Sequence, residues 1–431
     1  MPYIQKITNS IGPRWVQSLF FLWLIALPFG TFLGSFSLGF FTIYPSLILF
    51  VILFVLVSPS IFIWDKRLIY FGLFLLFWLI YSVCAPFIMN FEPNLNWRFD
   101  VRSLFMQFMC FVVLTGSFYK LGKLNFSRAL EQGLFFFLVV LVFAGILEYY
   151  TGIHLRGNFT NKLLIENSVS QIFYAPIFIY DNPNDYLVYY FGILSLYLLF
   201  ANPAFWKTIF FIGLGFMFAE TAGARVAMIT SIVMGTVYIL FHLRARSLPY
   251  KIISVAVAMV ILCFVLNPTF IGPKYSKGEF TTSNNYVEYP KSQVGELSSN
   301  NVRKNLLLNG IDFVRESPIM GIGPGQFRER HQNGSINHNT GTVVGPHNYL
   351  VEIISQYGIF AWFYLTVLGF IFILEIRQVI KSNEWSWRFM LLPIFGMLSI
   401  APSSFLYLDV NWIIVSISLL FFIEFNTQRS E

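Results

Sequence analysis

Three side chains capable of chemistry stand out in a chain that is otherwise largely apolar: Arg225, Arg303 and His347. A guanidinium group presents a fork of N–H donors that suits phosphate oxygens, and a neutral imidazole can accept a proton near pH 7. This combination is typical of a site that binds an anionic group and removes a proton from a hydroxyl. Two of the three residues lie in the polar stretch from Asn301 to Ile359, which we expect to carry the chemistry.

Arg225 follows Gly223 and Ala224 in a short turn between two apolar segments. Small neighbours would let a bulky phosphate approach the backbone, which favours an anion-binding role for the arginine. Two structural roles compete with that interpretation. The side chain could extend its charged end to the membrane interface, or it could pair with Glu220.

The segment from Asn301 to Glu316 carries apolar residues at helical spacing, and the helix is expected to stop ahead of Pro318. At about 100° per residue, Arg303 shares a face with Leu307, Gly310 and Val314, so we expect Arg303 inside a buried apolar arc. A buried guanidinium needs an anionic partner. That partner is either a substrate phosphate or a carboxylate of the protein itself.

His347 precedes a stretch from Leu350 to Tyr357 in which apolar residues repeat at helical spacing. We expect the histidine in the first turn of that helix, where the positive end of the helix dipole disfavours the imidazolium form. A neutral imidazole is the form that a general base needs. The alternative is a histidine that only caps the helix or bonds a loop carbonyl.

Two further patterns in this stretch are weaker signals. His331 and His338 could join His347 at a metal, but their spacing lacks the i, i+4 pattern and no carboxylate stands beside them, so no metal is expected. The alternating glycines from Gly321 to Gly325 have no βαβ context, and they predict a tight turn with positive φ angles rather than a nucleotide loop.

Composition places these residues in a membrane protein. Of 431 residues, 56% are hydrophobic and 11% are charged, and the mean hydropathy is +0.66. The predicted fold is therefore all-α, a polytopic membrane helical bundle. The net charge of +7 comes from basic residues scattered over short loops, which membrane topology explains better than a nucleic-acid-binding domain, so no nucleic-acid partner is expected. The three cysteines lie in apolar segments without metal or disulfide spacing, and they are expected to fill the core.

About twelve spans are predicted, in one integral-membrane domain over residues 1–431. They are expected at 15–34, 38–58, 68–89, 102–121, 130–150, 185–201, 205–220, 224–242, 250–267, 358–376, 388–402 and 408–425. Lysine and arginine in the short loops place both termini in the cytoplasm. The outer side then receives a loop at 151–184 and a large extracytoplasmic loop at 268–347, which is predicted to contain short helices.

Ionisable residues near the ends of spans sort to the outer face in this topology, whereas the interiors are almost free of charge. Carriers and pumps tend to place ionisable groups near the bilayer midplane. The pattern therefore favours chemistry at the outer membrane surface. The competing hypothesis is a flippase or carrier in which Arg225 and Arg303 would bind an anionic substrate during transport and no bond would change. A purely structural role is a third possibility, but it would not require Arg303 in an apolar arc.

Several of these features together resemble the O-antigen ligase and O-antigen polymerase superfamily. The resemblance rests on the arginine in the Gly223–Arg225 turn, the arginine in the helix before Ser317–Gly323, Pro346–Leu350 and Gln356–Ile359. Asn184 belongs to a further similar pattern, at the start of a span. The clearest match covers residues 182–370. The family usually has Ser-Arg-Gly where this chain has Ala-Arg-Val, so only the arginine matches there.

The resemblance implies a metal-independent, inverting membrane glycosyltransferase with a GT-C-like fold in the bacterial cytoplasmic (inner) membrane. The donor would be a glycan on undecaprenyl diphosphate, and the acceptor a glycan or a lipid A core. Membrane lipids would surround the bundle, and no cofactor is implied. Arg225 and Arg303 would hold the diphosphate, and His347 would act as base. The candidate substrate-binding residues are Asn184, Asn348, Lys304 and Arg315, the last two on the flank of the predicted helix.

Overall fold

The computed structural model describes most of the chain, and most of the described residues are helical. The described residues are 13–29, 36–38, 41–151, 176–178, 180, 183–201, 203–242, 299–341, 343–382, 388–400 and 404–427. The expected all-α architecture is confirmed in these ranges. Their one strand pairing is a short antiparallel hairpin of β1 (Phe36–Leu38) and β2 (Phe41–Ile43).

The helices fall into two groups on either side of residues 243–298. The first group is α1 (Pro13–Ala26), α2 (Pro45–Val57), α3 (Lys66–Met89), α4 (Leu95–Thr151), α5 (Pro183–Ala201), α6 (Phe205–Thr221) and α7 (Arg225–His242). The second group is α8 (Ser299–Glu316), α9 (Gln326–Gln332), α10 (Tyr349–Tyr357), α11 (Ile359–Ser382), α12 (Arg388–Leu398) and α13 (Asp409–Thr427). Turns of 3₁₀ helix extend α1 over Leu27–Phe29 and α2 over Ser58–Ile63.

Five segments of the described chain are long and apolar enough to cross a membrane. They are Pro45–Ile63, Lys66–Met89, Leu95–Thr151, Pro183–Ala201 and Ile359–Arg377. Shorter apolar helices occupy Arg14–Phe29, Arg225–Ile239 and Asp409–Ile423. Each expected span falls mainly on a helix, apart from the span at 250–267, which lies outside the described residues, as do most of the loop at 151–184 and the first part of the loop at 268–347.

The two spans expected at 102–121 and 130–150 form the halves of the 57-residue helix α4. At 1.5 Å per residue such a helix would be about 85 Å long, far more than a bilayer core of about 30 Å requires. Gly122 breaks it, with φ 73° and ψ 159°. Glycine reaches this positive φ without a side-chain clash, so the chain changes direction between two helical halves.

The start of the second span was predicted wrongly. The range 38–58 was expected to be one helix, but residues 41–43 pair with 36–38 as a hairpin. The helix begins at Pro45, after Tyr44 in an extended conformation. Proline suits the first position of a helix because its missing N–H would have no partner there.

The largest fully buried side chains of the bundle are aromatic. Trp78 and Trp412 are almost completely buried, and Trp78 makes edge contacts with Tyr364, whose ring centroid is 5.4 Å away. Such rings bury large apolar areas and prefer this edge-to-face geometry. Cys84 is half-buried and Cys110 is buried, both as free thiols, whereas the third cysteine, Cys263, lies outside the described residues.

The polar segment after residue 298 has a small apolar core of its own. Leu306 and Phe313 of α8 pack with Ile322 and with Phe327 of α9. Gly310 lets α8 approach α10 closely, because a Cβ atom at that position would collide with the Val351 side chain. The segment is therefore folded against itself, and it fixes α8 and α9 relative to α10.

The glycine-rich loop from Gly321 to Gly325 lies against α10. Gly321, Gly323 and Gly325 have φ angles of 75°, 101° and 74°, which confirms the predicted turn with positive φ. Within the loop, the Ile322 N–H donates to the Ser355 carbonyl at 2.8 Å and the Gly323 N–H donates to the Gln356 carbonyl at 3.1 Å. The turn is thus bonded to the C-terminal half of α10.

Two glycines with the same backbone conformation give a test of this docking. Gly325 and Gly334 both have φ near 73°, but a Cβ atom at Gly325 would meet the backbone of Asn96 and Trp97, whereas nothing lies within 4 Å at Gly334. We expect Gly334→Ala to lower the free energy of unfolding by about 1–2 kcal/mol through backbone strain alone. Gly325→Ala should cost about 1–3 kcal/mol more, since the added methyl forces two backbones apart.

The measurement is the thermal midpoint of both variants and the parent protein in the same detergent. A larger loss for Gly325→Ala is expected. Equal losses for the two variants would contradict the close approach of the loop to α4.

Candidate active site

Arg225 is the first residue of α7 and follows a tight turn after α6. Gly223 has φ 62°, and the Ala224 N–H donates to the Ala219 carbonyl at 2.9 Å. The expected short turn between two apolar helices is confirmed. Arg225 is exposed, with the two small residues just before it, so its guanidinium group is presented at the end of the helix pair.

Arg303 lies in the second turn of α8, but the prediction that it sits in a buried arc is wrong. Arg303 and Leu307 are both exposed and Val314 is half-buried, whereas Gly310 of the predicted arc is buried. The buried face of α8 consists of Leu306, Asn309, Gly310 and Phe313. The apolar arc read from the sequence was displaced by roughly one residue, because Asn309 is buried as a hydrogen-bonding residue. Arg303 consequently lies at the edge of the buried face of α8, and its guanidinium group is only partly desolvated.

His347 precedes its helix rather than lying in the first turn, which corrects the predicted position. Helix α10 begins at Tyr349, and the Asn348 side chain accepts the Val351 N–H at 3.2 Å as the N-cap. His347 itself has φ 47°, a left-handed conformation that is uncommon for a residue with a side chain. Its Nδ1 is shielded from solvent and has no hydrogen-bond partner among the described residues.

The expected neutral form of His347 is supported, although the main cause differs from the helix dipole. Burial, and then the positive charges of Arg303 and Arg328, lower the pKa of His347 from 6.5 to about 4. At pH 7 the imidazole is therefore neutral and available as a base.

The three predicted site residues lie close enough for their charges to affect one another's pKa. Partial desolvation of the guanidinium group, and then the charge of Arg225, lower the pKa of Arg303, and the charge of Arg303 acts on His347. Arg225, Arg303 and His347 are therefore brought together by α7, α8 and the residues before α10. Like charges that repel each other in this way favour the binding of an anion between them.

Sequence reasoning missed Arg328, which is the second source of positive charge near His347. It lies in α9, and its guanidinium carbon is 4.5 Å from the centre of the Tyr407 ring. Its charge also acts on the buried Glu352 carboxyl, whose pKa burial raises to about 8. The signal in the sequence was slight, because Arg328 stands in a run of charged residues that resembles a solvated surface.

The buried carboxylate of Asp100, in the first half of α4, is a second feature that sequence reasoning missed. It accepts hydrogen bonds from the Gly325 N–H at 2.8 Å, from the Tyr357 hydroxyl at 2.8 Å and from the Tyr407 hydroxyl at 2.6 Å. A buried carboxylate is stable only when its oxygens are bonded. Asp100 therefore ties the glycine-rich loop, α10 and the residues before α13 to one helix.

The four candidate substrate-binding residues are not gathered at one point. Lys304 is exposed beside Arg303, and Asn348 is occupied as the N-cap of α10. Arg315 lies twelve residues beyond Arg303, about 18 Å along the helix, and is 3.7 Å from Asp312. Asn184 is half-buried in the first turn of α5. Their predicted role in substrate binding stays a prediction.

His331 has a structural role in the small apolar core. Its Nδ1 lies 2.7 Å from the Phe327 carbonyl oxygen, and its Nε2 lies 3.1 Å from the Asn309 amide nitrogen. The ring stacks on Phe327 with centroids 4.6 Å apart. In the described part of the chain, no group of three or more His, Cys, Asp or Glu residues is placed to hold a metal ion.

Fold and site together define a polytopic membrane protein with a cluster of positive charge beside a neutral histidine. Residues 208–366 match the family model described as O-antigen ligase, and this range includes Arg225, Arg303 and His347. The match confirms the resemblance to the O-antigen ligase and polymerase superfamily and supports a membrane glycosyltransferase of that type. No curated protein matches the sequence.

The protonation state of His347 can be measured directly. We expect ¹⁵N NMR of histidine-labelled protein to show a neutral His347 ring at pH 5.5, with the signal assigned by its loss in His347→Gln. Because the pKa of about 4 is below the value of 6.5 in an unfolded chain, the folded state binds fewer protons between these pH values. His347 should therefore reduce stability as the pH falls from 6.5 towards 4.

The second measurement is the thermal midpoint of the parent protein and of His347→Gln against pH. The matched control is the same pair above pH 7, where His347 should contribute no pH dependence to stability. The variant should lose less stability than the parent on acidification. A measured pKa at or above 6.5 would contradict the site as described.

Proposed function

We propose that this protein transfers a glycan from undecaprenyl diphosphate to an acceptor hydroxyl at the outer face of the cytoplasmic membrane. The observation that carries this proposal is His347, whose Nδ1 has no hydrogen-bond partner in the described chain and whose ring is acted on by the charge of Arg303, which Arg225 in turn repels. The match of residues 208–366 to the O-antigen ligase family supports the reaction class.

Arg225 and Arg303 are the proposed ligands of the diphosphate. Their positive charges act on one another, so an anion placed between them relieves repulsion as well as forming hydrogen bonds. Guanidinium groups bind phosphate oxygens through paired N–H donors, and such charge-assisted bonds are about twice as strong as neutral ones. The same donors stabilise the negative charge that grows on the diphosphate as it leaves.

His347 is the proposed general base. The acceptor oxygen forms a bond to the anomeric carbon of the donor glycan while the bond from that carbon to the diphosphate oxygen breaks. The hydroxyl proton passes to the imidazole, and the electron pair of the broken bond leaves with undecaprenyl diphosphate. A single displacement of this kind inverts the anomeric centre. Since the arginines supply positive charge at the leaving group, we expect the reaction to proceed without a metal ion.

The decisive experiment uses purified protein in nanodiscs with labelled lipid-linked repeat units, in the presence of EDTA. We expect label to enter a longer product, either on the lipid or on a separate acceptor that is added in a parallel reaction. Chain growth on the lipid identifies a polymerase, and transfer to the separate acceptor identifies a ligase. Movement of intact lipid across the bilayer without a new bond would contradict the proposal and would indicate a carrier.

Substitutions at the two central residues should separate base chemistry from phosphate binding. His347→Ala should lower the transfer rate by about 10²–10⁴-fold because the acceptor hydroxyl loses its base. Arg303→Lys keeps the charge but loses the fork of donors, so transfer should also fall severely. The measurement is initial rate, with thermal unfolding as the check that each variant folds.

Arg67→Lys is the matched control for Arg303→Lys. Arg67 is a surface arginine that makes two bonds to Asp65, at 2.9 and 3.1 Å, at the opposite end of α3 from the glycine-rich loop. Its substitution should leave the transfer rate unchanged. Near-normal turnover in a folded His347→Ala protein would remove the proposed base.

A further inference from the structure

The position of Arg328 is set by one aromatic contact and by the attachment of its own helix. Its guanidinium carbon lies 4.5 Å from the centre of the Tyr407 ring, which is within the range of a cation–π contact. Helix α9, which carries Arg328, begins directly after Gly325, and the Gly325 N–H donates to Asp100. The position of Arg328 is thus set both by its own helix and by the aromatic ring beneath it.

The ring under Arg328 is itself fixed. The Tyr407 hydroxyl donates to Asp100 Oδ1 at 2.6 Å, while Oδ2 of the same carboxylate accepts the Tyr357 hydroxyl and the Gly325 N–H, each at 2.8 Å. With both carboxyl oxygens bonded, Tyr407 cannot turn without breaking its hydrogen bond to Asp100. Arg328 therefore packs on a ring whose orientation is fixed by a hydrogen bond to Asp100 in α4.

The charge of Arg328 affects both the buried acids and the proposed base. On one side its charge acts on the buried acids Asp100 and Glu352, and on the other it acts on the imidazole of His347. Arg328 is half-buried, so part of its surface remains accessible. A guanidinium group that packs on an aromatic ring, and whose charge acts on the proposed base, suits the recognition of an anion at that base.

We propose that Arg328 is a third arginine ligand of the diphosphate, and that Asp100 and Tyr407 are positioning residues that orient it. This inference rests on the proposed function. A diphosphate joined to a lipid and a glycan carries one negative charge on each phosphate, which Arg225 and Arg303 can match. When the bond to the glycan breaks, the freed oxygen gains a further negative charge, and Arg328 stabilises that charge.

The first measurement is equilibrium binding of radiolabelled undecaprenyl diphosphate to the purified full-length protein, which needs no turnover. Arg328→Gln should weaken binding on the order of tenfold to a hundredfold, the loss expected for one charge-assisted hydrogen-bonding group. Arg330→Gln is the matched control, because Arg330 lies two residues away in the same helix and pairs with Glu316 at the surface. It should bind like the parent protein.

The second measurement is transfer kinetics against pH. Arg328→Gln should lower kcat while changing KM little, because the added charge develops only as the bond breaks. It should also raise the pH of the acidic limb of kcat/KM, because His347 would then be repelled by Arg303 alone. Arg328→Lys keeps the charge, so its acidic limb should stay in place while its affinity for undecaprenyl diphosphate falls.

Tyr407→Phe keeps the ring but removes the bond to Asp100, and it should give an intermediate loss of affinity. A merely structural role for Arg328 would lower the thermal midpoint but leave the affinity of the folded fraction unchanged. If Arg328→Gln does not fold, Arg328→Lys carries the test through its loss of affinity. The inference would be overturned if folded Arg328→Gln bound undecaprenyl diphosphate as tightly as Arg330→Gln and had the same acidic limb of kcat/KM.

The two proposals fail in different ways. Wild-type protein that binds undecaprenyl diphosphate but transfers no glycan would contradict the proposed function, and an affinity loss in Arg328→Gln would still support the third ligand. Wild-type protein that transfers glycan, together with unaltered binding and pH dependence in a folded Arg328 variant, would overturn only the role of Arg328.

Discussion

The buried carboxylate of Asp100 is the interaction on which the arrangement of the site depends. Removing a carboxylate from water costs several kcal/mol unless its oxygens are bonded, and three donors supply those bonds here. The donors come from the glycine-rich loop, from α10 and from the residues before α13. One carboxyl group in α4 therefore holds together the elements that carry Arg328 and His347, and it makes the polar segment part of the bundle.

The positive charges at the site repel one another, and this repulsion has a consequence for function. The charge of Arg225 lowers the pKa of Arg303, and the charges of Arg303 and Arg328 lower the pKa of His347. The positive potential that favours anion binding is therefore present in the unliganded protein. Burial first, and then the same repulsion, keep the imidazole neutral and thus able to accept a proton. Fixed charges of this kind need little reorganisation during the reaction, which is how electrostatic stabilisation of a leaving group becomes effective.

The sequence predicted what depends on local pattern. Helix α8, the turn after it and the arginine at the start of α7 follow from periodicity, glycine spacing and small residues. It failed where long-range contacts decide the outcome. The partners of Asp100 lie 225, 257 and 307 positions away, beyond any periodic signal. Arg303 was placed on the wrong side of the buried boundary because Asn309, a polar residue, is buried through bonds to His331 and His338.

The central claim is that the arginines beside His347 bind the diphosphate of a lipid-linked glycan. The most direct measurement is an experimental structure of the protein in a lipid nanodisc with undecaprenyl diphosphate bound. The account predicts density for the two phosphates between Arg225 and Arg303, within hydrogen-bond distance of both guanidinium groups and next to the His347 ring. Phosphate density elsewhere on the protein, with these side chains unengaged, would contradict it.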